Sequence, residues 1–251
     1  MTATAAIRFY GELNDFLQGD QRQRDTCFPF VVGRSVKDAI EGLGVPHTEV
    51  GLILVNGQPV DFGYRFADRD RVSVYPLFEH LDISAVTRLR REPLREARFI
   101  VDGHLGTLAR YLRLLGFDTM LDPHLPDKEL AARSVAERRI LLTRDLGLLK
   151  RRAVTHAVSV RRDDPEEQLL ELVHRLPLGA SLRPFTRCMV CNGLLDDVDK
   201  AAVADRLEPR TRANFDRFRQ CRVCGRVYWE GSHQRRLLDL VERVRAESTS
   251  S

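Results

Sequence analysis

The 251-residue chain has no run of roughly 18 apolar residues, so no membrane-spanning helix is expected. Its N-terminus, MTATAAIRFY, lacks the charged-then-apolar pattern of a secretory signal, which makes the cytoplasm the expected compartment. Cysteine is scarce as well. Four of the five cysteines fall in two CxxC pairs, a spacing that suits metal ligands rather than a disulfide framework in a chain of this size. Cys27 is left over and is expected to be buried. Internal repeats and low-complexity blocks are absent. The 43% hydrophobic content is enough for one large domain or two to three small ones.

The net charge of +4 is unevenly spread. Residues 1–80 carry 8 Lys/Arg against 11 Asp/Glu, whereas residues 81–251 carry 32 against 25. Arginine dominates the later, basic part. Its planar fork suits bidentate phosphate contacts, so a polyanionic partner is plausible there, although many basic faces are merely solvated.

Residues 1–80 read as a small mixed sheet: AAIRFYG, FPFVVG, a helix from Ser35 with Asp38 three positions on, then GLILVNGQPV and DRVSVYPLF. Residues 81–98 are arginine-rich, broken by Pro93, and read as a linker. Arg88, Arg90, Arg91, Arg95 and Arg98 could line a nucleic-acid groove or simply be solvated. From 99 to 180, strand and helix alternate: FIVD and its helix, DTML, the helix DKELAARSVAERR, ILLTRD, THAVSV and PEEQLLELVHRL. That order argues for a parallel sheet flanked by helices. Residues 181–245 hold the cysteine pairs, and 246–251 (AESTSS) are expected to be a disordered tail.

Three acidic residues occupy comparable places in the alternating unit. Asp102 ends the first strand, Asp127 opens the intervening helix and Asp145 ends ILLTRD. If the two strands are parallel neighbours about 4.8 Å apart, Asp102 and Asp145 leave the sheet on one edge. Like charges so close call for a cation, and a hard ion such as Mg2+ or Mn2+ suits carboxylates. Such an ion activates water and neutralises phosphoryl oxygens, the chemistry of phosphodiester hydrolysis. Two of the aspartates also have a plainer reading: Asp102 and Asp127 could cap helices. Arg110, Arg113, Thr143 and Arg144 are candidates for holding the scissile phosphate; surface solvation is the alternative for Arg110 and Arg113, ordinary strand packing for Thr143.

RCMVCNG and QCRVCGR give Cys188, Cys191, Cys221 and Cys224, the pairs 29 residues apart. Four thiolates fill a tetrahedral Zn2+ shell and leave no open position, so the zinc is expected to be structural. The intervening stretch is long enough for inserted helices, VDKAAVADRL and TRANFDRF. Phe215 and Phe218 are assigned to the small core there, with Tyr228 and Trp229 left open between core and base stacking.

Two resemblances follow. VNGQPV with DRDRV and YP resembles the β-grasp, ubiquitin-like sulfur carriers of thiamine and molybdopterin synthesis. The terminal Gly-Gly of those carriers is missing, which favours a docking or regulatory domain with a possible protein partner. VDGHLGTLARYLRLLGFDT, DKELAARSVAERRILLTRDLGLL and the CxxC pairs closely resemble the mutator-seven C-terminal ribonuclease family, a PIN-like nuclease fold joined to a zinc ribbon. The resemblance implies an α/β chain with an N-terminal β-grasp, a PIN-like parallel sheet and a zinc ribbon. It also implies a metal-dependent RNase whose acidic cluster is Asp102, Asp127 and Asp145, acting on structured RNA such as tRNA. A fourth acidic position has no clear counterpart among Asp163, Asp164 and Glu167. The alternative is a catalytically weak RNA-binding or ribosome-associated module that uses the ribbon and its arginines.

Overall fold

Ser35 begins the first helix as its spacing foretold, its hydroxyl accepting the backbone N–H of Asp38 at 3.1 Å. The computed structural model of the chain describes residues 2–77, 83, 86–89, 96–229 and 232–249. Of the linker arginines, Arg90, Arg91 and Arg95 therefore lie outside the described residues. The chain divides into two compact units, Met1–Arg95 with Thr143–Ser159, and Glu96–Leu142 with Val160–Ser251. This differs from a simple succession along the sequence, because the segment after Leu142 groups with the N-terminal residues.

The first unit is built on β1 (Thr2–Phe9), β2 (Thr26–Val31), α1 (Val36–Gly42), β3 (Val50–Val55), β4 (Gln58–Pro59) and β5 (Arg71–Pro76). Their order is β2-β1-β5-β3-β4. β1 and β5, the first and last strands of this sheet in sequence, run parallel side by side, and β2 and β3 flank them antiparallel. This is the expected β-grasp. Ile7, Val36, Ile40, Ile53 and Val74 make its fully buried core. Cys27, expected inside, is exposed. Alternation along β2 turns Phe28 and Phe30 toward the core and so sends Cys27 outward.

The second unit contains β6 (Phe99–Val101), α2 (Gly106–Leu114), β7 (Thr119–Leu121), α3 (Asp127–Ala136) and the start of β8 (Ile140–Thr143). The strands pair in parallel, Val101 standing opposite both Leu121 and Leu142. Its strands run in the order β7-β6-β8, while α4 (Leu146–Leu149) and β9 (Ala157–Ser159) fall in the first unit. Phe99, Ile100, Leu141 and Leu142 are fully buried, as a sheet covered on both faces requires. α2 lays Leu108, Ala109 and Leu112 on the sheet and stops at Gly116, whose φ of +94° closes the turn. A side chain at Gly116 would also collide with the Arg183 carbonyl.

α5 (Pro165–Arg175) is capped by Asp164, whose Oδ1 accepts from the Glu166 and Glu167 amides. The zinc-ribbon part comprises β10 (Leu195–Val198), α6 (Lys200–Val203), α7 (Pro209–Asn214), β11 (Phe218–Cys221) and β12 (Val227–Trp229), an antiparallel sheet with two short inserted helices. Phe218 is buried with Val203 and Leu207, and Phe215 packs against them. A final helix, α8 (Ser232–Thr249), corrects the disordered tail expected from 246 onward. Val241 and Val244 are buried, and Glu247 pairs with His174 at 2.8 Å, so the helix has a face to hold it. Among the described residues, no helix is long and apolar enough to cross a membrane.

Candidate active site and metal centre

The two CxxC pairs fold into knuckles of the same geometry. Cys188 N–H donates to the Gly193 carbonyl and Asn192 N–H to the Cys188 carbonyl; Cys221 N–H likewise donates to Arg226 and Gly225 N–H to Cys221. Asn192 and Gly225, each one past the second cysteine, share a left-handed φ of 69°. Glycine and asparagine are the residues that tolerate it. The four Sγ atoms lie within 4.8 Å of one another.

Among the described residues, this is the one cluster of three or more metal-ligating side chains drawn that close. Four soft sulfur donors gathered this closely fit Zn2+, and as thiolates they would fill its tetrahedral shell and leave no site for a reacting water. Burial raises the Cys188 thiol, but the Tyr228 hydroxyl, 3.0 Å from its Sγ, and nearby amides outweigh that and bring it down to about 6. Burial and the neighbouring sulfurs push Cys191 up to about 12. A divalent cation between them would favour the thiolate at both. Tyr228, left open by sequence, is thus a partner of the cysteine cluster; Trp229 is exposed.

The first knuckle is tied to the parallel sheet of its unit. Asn192 accepts the Thr119 N–H at 3.0 Å and donates to Asp118 Oδ1 at 2.9 Å, both at the start of β7. Arg113 is 4% exposed; it donates to the carbonyls of Thr119, Met189 and Val190. Its assignment to substrate is therefore corrected: it lies on the inner side of α2, where the guanidinium satisfies knuckle carbonyls. Arg98, its side chain 37% exposed, also pairs with Asp118 at 3.3 Å.

Asp118 gathers this network. Burial raises its pKa, yet hydrogen bonds from Arg139 and Asn192 win and hold it at about 2. Because the folded value lies below the unfolded one, the network stabilises fully above the ordinary carboxylate range and is lost as pH falls from 4 toward 2. The linkage amounts to about 2 kcal/mol. Urea unfolding across that pH range should show the loss, and Asp118→Asn should be less stable at neutral pH and lack this part of the slope.

The carboxylates sit at strand and helix ends. Asp102 follows β6, donates its N–H to the Leu142 carbonyl at 3.0 Å, and is half-buried. It makes no side-chain cap, so the capping alternative falls away. Asp127 is exposed as the first residue of α3, beyond the cap position held by Pro126. Asp145 is exposed and caps α4, Oδ1 accepting the Gly147 N–H at 2.7 Å. The three carboxylates do not close into a group as tight as the cysteines.

Thr143 is fully buried and its Oγ1 accepts the Asp145 N–H at 3.0 Å. Its role as a phosphate contact is corrected to that of shaping the turn into Asp145. Arg110 and Arg144 are exposed. One acidic residue was passed over: Asp122 directly follows β7, and the register Val101 opposite Leu121 makes it the neighbour of Asp102 in strand order. The strand-end rule that singled out Asp102 would have found it. Of the fourth-position candidates, Asp164 is used as the α5 cap.

A groove of about 1230 Å³ opens in the ribbon part of the same unit. Phe185, Phe215 and Trp229 line it, with the exposed Arg217 and Arg226. Phe185 holds a left-handed φ of 61°, its carbonyl accepting from Arg219 at 2.7 Å. Aromatic faces beside guanidinium groups are what a single-stranded nucleic acid stacks on.

A family model described as the Mut7-C RNAse domain matches residues 97–241, and one described as Mut7-C ubiquitin matches residues 2–82. No curated protein and no solved structure matches the chain.

Proposed function

The chain belongs to the Mut7-C RNase family, whose domain model spans more than half of it, and on that premise we propose that it is a Mg2+- or Mn2+-dependent ribonuclease acting on structured RNA such as tRNA. A nuclease, RNA-related role comes with the family. The metal, the substrate and the residues are the proposal.

Asp102, Asp127 and Asp145 are the catalytic carboxylates in this reading, with Asp122 as a further candidate. The observation that carries it is the parallel register of β6 and β8: both strands leave the sheet at one edge, Asp102 directly and Asp145 three residues after Leu142. The donor set fits. All are hard carboxylate oxygens, and Mg2+ takes only one or two of them while keeping several waters, so a tight cage is not required. The bound ion would supply a water of lowered pKa and charge neutralisation at the phosphoryl oxygens. The chain's own part is to hold the carboxylates at strand ends and to align the phosphate with Arg110 and Arg144.

The ribbon groove supports RNA positioning. Trp229→Ala is expected to weaken single-stranded RNA binding by about 1–3 kcal/mol. Arg226→Ala should lower the salt dependence by roughly 0.7 in log–log slope. Fluorescence anisotropy at several salt concentrations reads both. The exposed Val31 and Val32, at the end of edge strand β2, are the feature that supports a protein partner for the β-grasp.

Incubation of the purified full chain with tRNA, rRNA and mRNA fragments tests the reading. Cleavage of at least one, absent when Mg2+ and Mn2+ are withheld and restored by adding either, is expected. Salt-sensitive binding with RNA left intact after long incubation in Mn2+ would select the non-cleaving RNA-binding module instead.

A further inference from the structure

Two ionisable side chains of the β-grasp are buried where its short helical turn meets a later segment of the chain. Glu49 is wholly inaccessible and His47 is 7% exposed. Both lie in the short helical turn between α1 and β3, and both reach the segment Thr143–Ser159 of the same unit. Glu49 Oε1 accepts the Ser159 N–H at 2.6 Å. His47 Nε2 donates to the Val154 carbonyl at 2.9 Å, while its Nδ1 lies 2.6 Å from Glu41 Oε1. From the other side, Lys150 Nζ donates to the Glu41 carbonyl at 3.1 Å.

We propose that Glu49 and His47 are positioning residues for the turn that carries Asp145, so that the β-grasp is a built-in clamp on the catalytic segment. A helix as short as α4, four residues, has no stability of its own. Its geometry must come from what it packs on. Leu148, Leu149 and Val154 are buried, and the three hydrogen bonds grip the segment at residues 150, 154 and 159. A carboxylate taken wholly out of water is costly unless strongly hydrogen-bonded. Glu49 meets that condition at a backbone amide of β9. The grip also explains why 143–159 groups with the N-terminal residues rather than with the strands that precede it.

The inference rests on Asp145 being a nuclease carboxylate, and its test separates the two. Hydrogen exchange on the full chain should show the Ser159 amide and those of 146–154 exchanging at least tenfold faster in Glu49→Leu. In Glu49→Gln, which keeps an acceptor, the change should be largely reversed. Lys150→Met, which leaves the β-grasp interior untouched, should loosen 146–154 on its own. RNA cleavage in Glu49→Leu and Lys150→Met should lose about tenfold in kcat with KM little changed. Unchanged exchange in both variants, or faster exchange with unchanged kcat, overturns the clamp. If the wild-type chain cleaves no RNA, the ribonuclease reading is what fails, and the exchange data alone then decide whether the segment is held.

Discussion

Asp145→Asn should abolish RNA cleavage, by roughly a thousandfold or more, with no measurable loss of fold. Two roles meet in this side chain. It caps α4 through the Gly147 amide, and in the proposed site it holds a divalent ion. Asparagine caps a helix about as well as aspartate, so the substitution keeps the first role and removes only the charge. The metal supplies both the nucleophilic water and the charge neutralisation, and even groups one step removed from a metal are worth 10–100-fold. Asp145→Ala should be equally inactive and lose in addition about 1 kcal/mol from the missing cap. Asp102 makes no side-chain cap, so its Asn variant tests the charge without disturbing a helix end. Single-turnover cleavage assays with thermal melts on the same samples read both quantities. Cleavage at wild-type rate in Asp102→Asn and Asp145→Asn would remove the carboxylates from the mechanism.

Removal of zinc is the second large effect, and it should reach beyond the ribbon. Structural zinc in small domains contributes on the order of 10 kcal/mol of folding free energy. Here the first knuckle also continues the nuclease sheet: Asn192 occupies the Thr119 amide and the Asp118 carboxylate, and Arg113 bridges α2 to two knuckle carbonyls. Loss of the knuckle strands a buried guanidinium and opens the β7 edge, each costly. Cys221→Ser or a strong chelator should therefore melt part of the nuclease unit, seen as lost far-UV helix signal and faster exchange in α2. A weaker chelator that strips only Mg2+ or Mn2+ should stop cleavage and leave the melt unchanged. Restoration by Mg2+ alone then tells the two metals apart. If zinc loss leaves α2 exchange as it was, the knuckle is an appendage and not part of the fold.

Local chemistry made much of this legible. The Ser35 cap, the apolar strands at 99–101 and 140–142, the Gly116 stop and the paired CxxC knuckles depend on residues close in sequence, and each stands where its pattern put it. Arg113 and Thr143 were misread for one shared reason. A polar side chain near a candidate site carries no mark of whether it faces outward, and burial is set by what packs over it from residues 189–190 or from the turn into Asp145. Cys27 failed differently, because alternation along β2 decides its side and the neighbouring phenylalanines fix the phase. Asp122 was open to the strand-end rule in DTMLD, and the β6–β7 register adds only that its strand pairs with that of Asp102.

By itself the sequence determined the class of the molecule: a β-grasp, an alternating strand–helix unit and a four-cysteine cluster whose soft sulfur donors suit a metal ion. Those properties follow from periodicity and from donor hardness, which are local. Tertiary structure alone decided which arginines are struts, that a buried glutamate reaches a strand 110 residues away, and that an asparagine beside the cysteines belongs to the nuclease sheet. These are matters of contact between distant segments, where the cost of leaving a buried polar group unpaired selects one arrangement from the many that local preference permits.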